Sequence, residues 1–203
     1  ATPIVMDVIP FLATGVIPYE MVIRTADRAS LSIDSNRALL FYPHVQPLDL
    51  ILARSGLEVA TYLTVFAALL GGYALYEQTF AIESALATLL GLGLAGLFGM
   101  ALGTLLCASA VVNKVVDRMK GPIMRPLFWI SGVYFTANAL PTSVREILMW
   151  NPVLHCVEIV RDGWFPAYHA HHASVAYVLI WVLALGFFGL TIERAVRAKV
   201  QLT

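Results

Sequence analysis

The chain has 203 residues, of which 59% are hydrophobic and 13% charged, and its formal net charge is zero. A soluble domain is roughly 45–50% apolar and about 25% charged, so a soluble fold of this size could not hide so much apolar surface. Neutrality removes the basic footprint that nucleic acid requires, and no nucleic-acid partner is expected.

A helix needs about 20 mostly apolar residues to cross the hydrocarbon layer. Residues 4–23 form the first such stretch, with Asp7 near one end, Glu20 near the other, and Pro10, Gly15 and Pro18 inside it. Residues 24–49 then carry Asn36-Arg37, the run Ala38-Leu39-Leu40-Phe41-Tyr42, and Pro43 and Pro47. That pattern predicts a short amphipathic helix at the membrane surface, broken by the prolines; a loop anchored by Phe41 and Tyr42 is the alternative.

The second span covers residues 50–76. Glu58 lies one turn after Arg54, as Arg24 follows Glu20, and this spacing predicts local ion pairs. The third, 84–112, has no charge between Glu83 and Lys114 and contains Gly91, Gly93, Gly96, Gly99 and Gly103. Small residues in this spacing predict close helix packing, for which a partner chain could supply the neighbour.

A fourth uncharged stretch, 126–140, mixes Phe128, Trp129, Tyr134 and Phe135 with Ser131, Thr136 and Asn138. Aromatic faces stack on sugar rings and hydroxyls bond to them, so channel lining and plain helix packing both stay open here. Residues 141–168 hold two runs too short to span, Val144–Trp150 and Val153–Val160, separated by Asn151-Pro152. They predict two half-helices re-entering the outer leaflet, a geometry tolerated only where protein or a wet cavity covers the backbone. The last span, 173–192, ends at Glu193-Arg194.

Lysine and arginine placement orients these spans. Arg24, Arg28, Arg37 and Arg54 flank the first connection, Lys114, Arg118, Lys120 and Arg125 sit in the third, and Arg194, Arg197 and Lys199 follow the last span. With five spans all three groups share one side, which is the cytoplasmic side, and only Arg145 and Arg161 fall opposite. The C-terminus is then inside and Ala1 outside. Ala1 is preceded by neither a Met nor a basic signal region, so a truncated start and a missing sixth span are expected.

No catalytic or metal set emerges. The three lysines precede Val115, Gly121 and Val200, which excludes a phosphate-binding Lys-Ser or Lys-Thr motif. His169, His171 and His172, and His44 and His155 taken singly, read as polar residues, and no metal is expected. Cys107 and Cys156 fall at opposite depths and are predicted to be unpaired thiols. No cofactor is expected in this chain.

Several stretches together resemble the ABC-2 type membrane subunits that export capsular polysaccharides, including polysialic acid. They are Thr14-Gly15-Val16-Ile17-Pro18-Tyr19; Asn36-Arg37-Ala38-Leu39-Leu40 with Pro43 and Pro47-Leu48-Asp49; and Ala53-Arg54. Arg125 to Gly132, Leu140-Pro141, and Trp150 to His155 with Glu158, Arg161 and the Glu193-Arg194 ending complete the set. The match runs in order through the whole chain, as one domain over 1–203.

The resemblance implies a bacterial inner-membrane permease subunit working as a homodimer with an ATPase subunit that binds ATP and Mg. It implies a lipid-anchored polysaccharide as substrate and periplasmic and outer-membrane export proteins as partners. Asn36, Arg37, Leu39, Leu40, Pro43 and Pro47 would meet the ATPase. Phe128, Trp129, Ser131, Tyr134, Phe135 and Asn138 would line the channel, and Trp150, Asn151, Pro152 and His155 would form the outer gate. The rival readings are an exporter of O-antigen, teichoic acid or a drug, and a non-transport membrane scaffold or enzyme.

Overall fold

The computed structural model describes residues 7–42, 44–78 and 82–201, with side chains through Val196. Among these residues the chain is all α-helical: α1 (Val8–Ser30), α2 (Ser32–Ser35), α3 (Pro47–Glu77), α4 (Ala85–Val112), α5 (Val115–Ile130), α6 (Thr142–Leu148), α7 (Pro152–Trp164) and α8 (Val175–Gln201). α1, α3, α4 and α8 are the four long enough and apolar enough to cross a membrane. The chain is an integral membrane protein.

The helix starts follow from local chemistry. Pro47 opens α3, where its missing N–H costs nothing, and Asp49 reaches back to accept the Gln46 N–H at 2.8 Å. Ser84 caps α4 by accepting the Ala87 N–H at 3.2 Å. α3 and α4 fall within a few residues of the expected 50–76 and 84–112. α1 continues seven residues past the expected end, because Met21, Val22, Ala26 and Ala29 keep one face fully buried through the charged turn. The two predicted local pairs are present, Arg24–Glu20 at 2.7 Å and Arg54–Glu58 at 3.9 Å.

The glycines of α4 explain its neighbours. A Cβ on Gly99 would meet the Val22 carbonyl oxygen at 2.8 Å, and one on Gly103 would meet the Ala29 Cβ at 2.5 Å. The neighbour for this pair is therefore α1 of the same chain. Gly91 admits Val160 of α7, and Gly96 admits Val59 of α3. Gly93, between them, faces open space. The main buried cluster gathers Met21 and Val22 of α1, Leu92, Ala95 and Phe98 of α4, and Val153, Cys156 and Val160 of α7.

Direction along the bundle decides the rest. The Ser84 N–H bonds the Gly163 carbonyl at 2.8 Å, so α7 ends where α4 begins. The Ser174 N–H bonds His155, so α8 starts at that same pole, and Gly189 packs against Thr104 and Leu105 farther along α4. α4 and α8 thus run parallel, and residues 113–174 must carry the chain back from one pole to the other.

The stretch 126–140 differs here from one predicted helix. α5 begins earlier, at Val115, and stops at Ile130; Gly132 then takes φ +76° and the chain leaves helical geometry. Only a short 3-10 turn, Ala137–Ala139, follows before Pro141. α6 and α7 occupy the two short runs expected on either side of Asn151-Pro152. The surface helix expected within 24–49 is reduced to α2 and a 3-10 turn, Arg37–Phe41, because α1 takes the first residues. Pro43 and residues 4–6 lie outside the described residues.

Overpacking a closed helix contact costs about 1–3 kcal/mol. Gly103→Val should lower the melting temperature of the detergent-solubilised protein accordingly, and Gly93→Val should leave it unchanged. Equal melting of the two variants would remove the α1–α4 contact from this account.

Candidate functional site at the broken α5–α6 connection

Where α5 stops, its peptide groups need new partners. Ser131 donates its hydroxyl to the Leu127 carbonyl at 2.5 Å, and Asn151 donates to the Ile130 carbonyl at 3.3 Å and to Ser131 Oγ at 2.9 Å. Asn151 also caps α7 by accepting the Val153 N–H at 3.0 Å. One side chain therefore closes the end of α5 and opens α7.

Beyond this the carbonyls turn to Arg161, which is fully buried on α7. Its Nη1 donates to the carbonyls of Gly132 at 2.6 Å and Phe135 at 2.7 Å. Its Nη2 donates to Val133 at 3.1 Å and to Phe11 of α1 at 3.4 Å. The guanidinium carbon stands 4.1 Å above the Phe11 ring, adding an attraction between cation and aromatic face. A planar fork with several fixed donors suits this task; an ammonium would not reach four separated oxygens.

Glu158, one turn earlier, supplies the counter-charge at 3.7 Å from Arg161. It accepts the Ala137 N–H at 3.2 Å and the Tyr168 hydroxyl. The pair is thus joined mainly through the irregular segment that both of its members hold. Gly15 makes room for it: a Cβ there would meet Arg161 Nη2 at 2.7 Å and the Val133 oxygen at 2.9 Å.

The residues expected to line a channel separate into three groups. Trp129 and Tyr134 are 68% and 53% exposed and stack edge-on against Phe128, with ring centroids 5.6 and 5.4 Å away. Phe128 is half-buried against Tyr19 of α1, and Phe135 is half-buried, its carbonyl on Arg161. Asn138 is exposed and donates to the His169 carbonyl at 2.9 Å, whereas Ser131 is fully buried and turned into the protein.

Of the outer residues, Trp150 is 76% exposed and Asn151 is buried. Pro152 starts α7. His155 is buried; its Nδ1 accepts the Ser174 N–H at 3.0 Å, so Nε2 carries the proton and donates to the Met149 carbonyl at 2.8 Å. Its ring also lies against Tyr177, 4.7 Å between centroids.

At the basic pole, Asn36 donates to the Ser32 carbonyl at 2.8 Å and Arg37 pairs with Asp34 at 3.0 Å. Leu40 packs on Ala29, Ile33, Ile51 and Cys107, Pro47 is buried, and Leu39, Phe41 and Tyr42 point outward. Beside them Lys120 of α5 pairs with Asp27 of α1 at 2.9 Å and Asp117 at 3.1 Å.

The arrangement performs no evident bond chemistry. Both Arg161 terminal nitrogens are taken up by backbone carbonyls, its buried Nε has no hydrogen-bond partner, and Glu158 is held by the Ala137 N–H and the Tyr168 hydroxyl. Among the described residues no cluster of His, Cys, Asp and Glu could hold a metal. Cys107 and Cys156 are buried, free thiols in separate clusters.

The family described as ABC-2 type transporter matches residues 35–165, which include the turn at Arg37, the broken connection and Arg161. The chain belongs to this family. It is 28% identical over 193 residues to the polysialic acid transport protein KpsM of Escherichia coli, covering 95% of this chain and 74% of that protein. It is 31% identical over 190 residues to the capsule polysaccharide export inner-membrane protein BexB of Haemophilus influenzae, covering 93% of this chain and 71% of the relative. CtrC of Neisseria meningitidis serogroup B, also a capsule polysaccharide export inner-membrane protein, is 28% identical over 192 residues, 91% and 70% of the two chains.

Sequence reasoning named Glu158 and Arg161 only within the family resemblance and treated Arg161 as an outer-side charge. The available signal was their i, i+3 spacing inside the apolar run Val153–Val160 and its continuation. Removing one partner of a buried charged network costs about 3–5 kcal/mol. Arg161→Met should melt at a markedly lower temperature and become susceptible to protease within 131–141. Wild-type melting would show that the carbonyls find other donors.

Proposed function

We propose that this chain is the inner-membrane permease subunit of an ATP-driven exporter that moves lipid-anchored capsular polysaccharide from cytoplasm to periplasm. The observation that carries this is the match to KpsM, BexB and CtrC over 91–95% of the chain, through membrane helices and connections alike. The basic pole is cytoplasmic and so is the C-terminus. α5 with the segment after it makes the fifth crossing, the non-helical backbone of that segment covered by Arg161 and Asn151 as a stretch at membrane depth requires, and α6–α7 is a re-entrant pair in the outer leaflet.

Two copies form the pore. An ATPase subunit carrying ATP and Mg docks on the turn around Arg37, where Leu39, Phe41 and Tyr42 present an apolar face and Leu40 rests on the inner ends of α1, α3 and α4. ATP favours the closed pair of ATPase subunits, and only that difference in affinity can drive the membrane halves apart. The exposed rings of Trp129 and Tyr134 offer stacking faces to the passing glycan. Periplasmic and outer-membrane export proteins receive it beyond the Trp150–His155 gate.

Deleting the gene should abolish surface polysaccharide and leave polymer inside the cell; intact surface polysaccharide would overturn the assignment. Arg37→Glu, at unchanged membrane level, should uncouple ATP hydrolysis from export by roughly tenfold, the scale of an interface hot spot. Because Arg37 also pairs with Asp34, the swap Asp34→Arg with Arg37→Glu separates the two effects: restored export would reduce Arg37 to a local role. Trp129→Ala with Tyr134→Ala should slow export, and an unaltered rate would leave these rings as packing.

A further inference from the structure

At the pole opposite the basic turns, the end of α6 and the segment leading into α8 border an open cleft of about 450 Å³ lined by Arg145, Glu146, Met149, Trp150 and His172. This volume falls in the ~300–1,000 Å³ range of small-molecule sites. Its walls are tied together. The His155 ring bridges the Met149 carbonyl and the Ser174 N–H, and the Tyr177 hydroxyl donates to the Trp150 carbonyl at 2.9 Å. The backbone that carries Met149 and Trp150 is thus fixed to the start of α8.

The side chains on those walls are not tied. Trp150 is 76% exposed, and the Arg145 guanidinium has no hydrogen-bond or ion-pair partner among the described residues. An indole anchored at a membrane surface would account for Trp150 alone. It leaves an unpaired guanidinium, a carboxylate and an imidazole around the same hollow. That set matches a sugar ring: an aromatic face for the C–H side, Glu146 and His172 for ring hydroxyls, and a planar fork for a carboxylate substituent.

We propose that this cleft is a subsite for a carboxylate-bearing pyranose unit of the exported glycan, which Arg145 selects and Trp150 stacks upon. The proposal rests on the exporter reading above. It specifies an acidic sugar, recognised at the exit side, where a polymer leaving the pore would be held against backsliding.

The test titrates the detergent-purified complex of this chain with its ATPase with two probes of equal length. One is a hyaluronan hexasaccharide, which carries glucuronate, and the other is neutral maltohexaose; the readout is tryptophan fluorescence. Saturable quenching is expected with the acidic probe, about tenfold tighter than with the neutral one. Arg145→Gln should erase that preference, Arg145→Lys should keep part of it, and Trp150→Phe should remove the quench. Trp150 is largely exposed and the Arg145 guanidinium makes no hydrogen bond or ion pair among the described residues, and an unchanged melting temperature confirms that each variant is folded. Equal affinity for the two probes, no saturable signal with either, or wild-type behaviour of Arg145→Gln would overturn the subsite. Gene deletion keeps the two readings distinct: lost surface polysaccharide with a flat titration removes the subsite alone, and retained surface polysaccharide removes the exporter reading.

Discussion

A chain that leaves helical geometry inside apolar surroundings must find partners for its peptide groups within the protein, since no water is there to supply them. The buried stretch Ser131–Val133 and its continuation to Phe135 face this constraint, and Arg161 meets most of it by bonding the Gly132, Val133 and Phe135 carbonyls at once. Burying a guanidinium is itself costly, and Glu158 offsets that cost while holding the Ala137 N–H. The charge and the irregular backbone therefore require each other. Neither would be stable in this place without the other.

The other close approaches serve this junction. Gly15 lets α1 come near enough for the Phe11 carbonyl to reach Arg161, and Gly91 lets α7 sink against α4 so that Arg161 stands at the right height. Thus the glycines of two different helices set the position of one side chain on a third. The packing of α1, α4 and α7 forms the firm part of the molecule, whereas α5 buries only Met124. α5 is instead held at its ends, by Lys120 on Asp27 and by Asn151 on the Ile130 carbonyl.

How much of this was legible in the sequence follows from what each signal measures. Length without charge located α3 and α4 closely, and the Asn151-Pro152 pair marked the α6–α7 turn because a proline opens a helix more readily than it continues one. The absence of charge from residues 126–144 could not reveal the break at Gly132, because the interruption is conformational. The charge map counted Arg161 as solvent-facing because it records side of membrane and not depth. The Gly99–Gly103 spacing announced a close neighbour correctly, but only coordinates identify it as α1. For the site itself, Trp129 and Tyr134 were legible as aromatic faces, whereas Ser131 shared their polarity pattern and turned inward.

The two irregular connections are joined by α1. One end contributes Ala29 to the cluster under Leu40 and Asp27 to the Lys120 pair, and the other places Phe11 beneath Arg161. A displacement of the Arg37 turn would therefore act on a single rigid helix that reaches the broken connection directly. The same displacement reaches α5 through the half-buried Lys120–Asp27 ion pair, a single side-chain contact that yields more readily than packed glycine contacts. On the exporter reading, this asymmetry favours a motion in which α1, α4 and α7 move as one body while α5 and the aromatic face of Trp129 and Tyr134 shift relative to them. The buried arginine would then act as the pivot, because its bonds run to both parts.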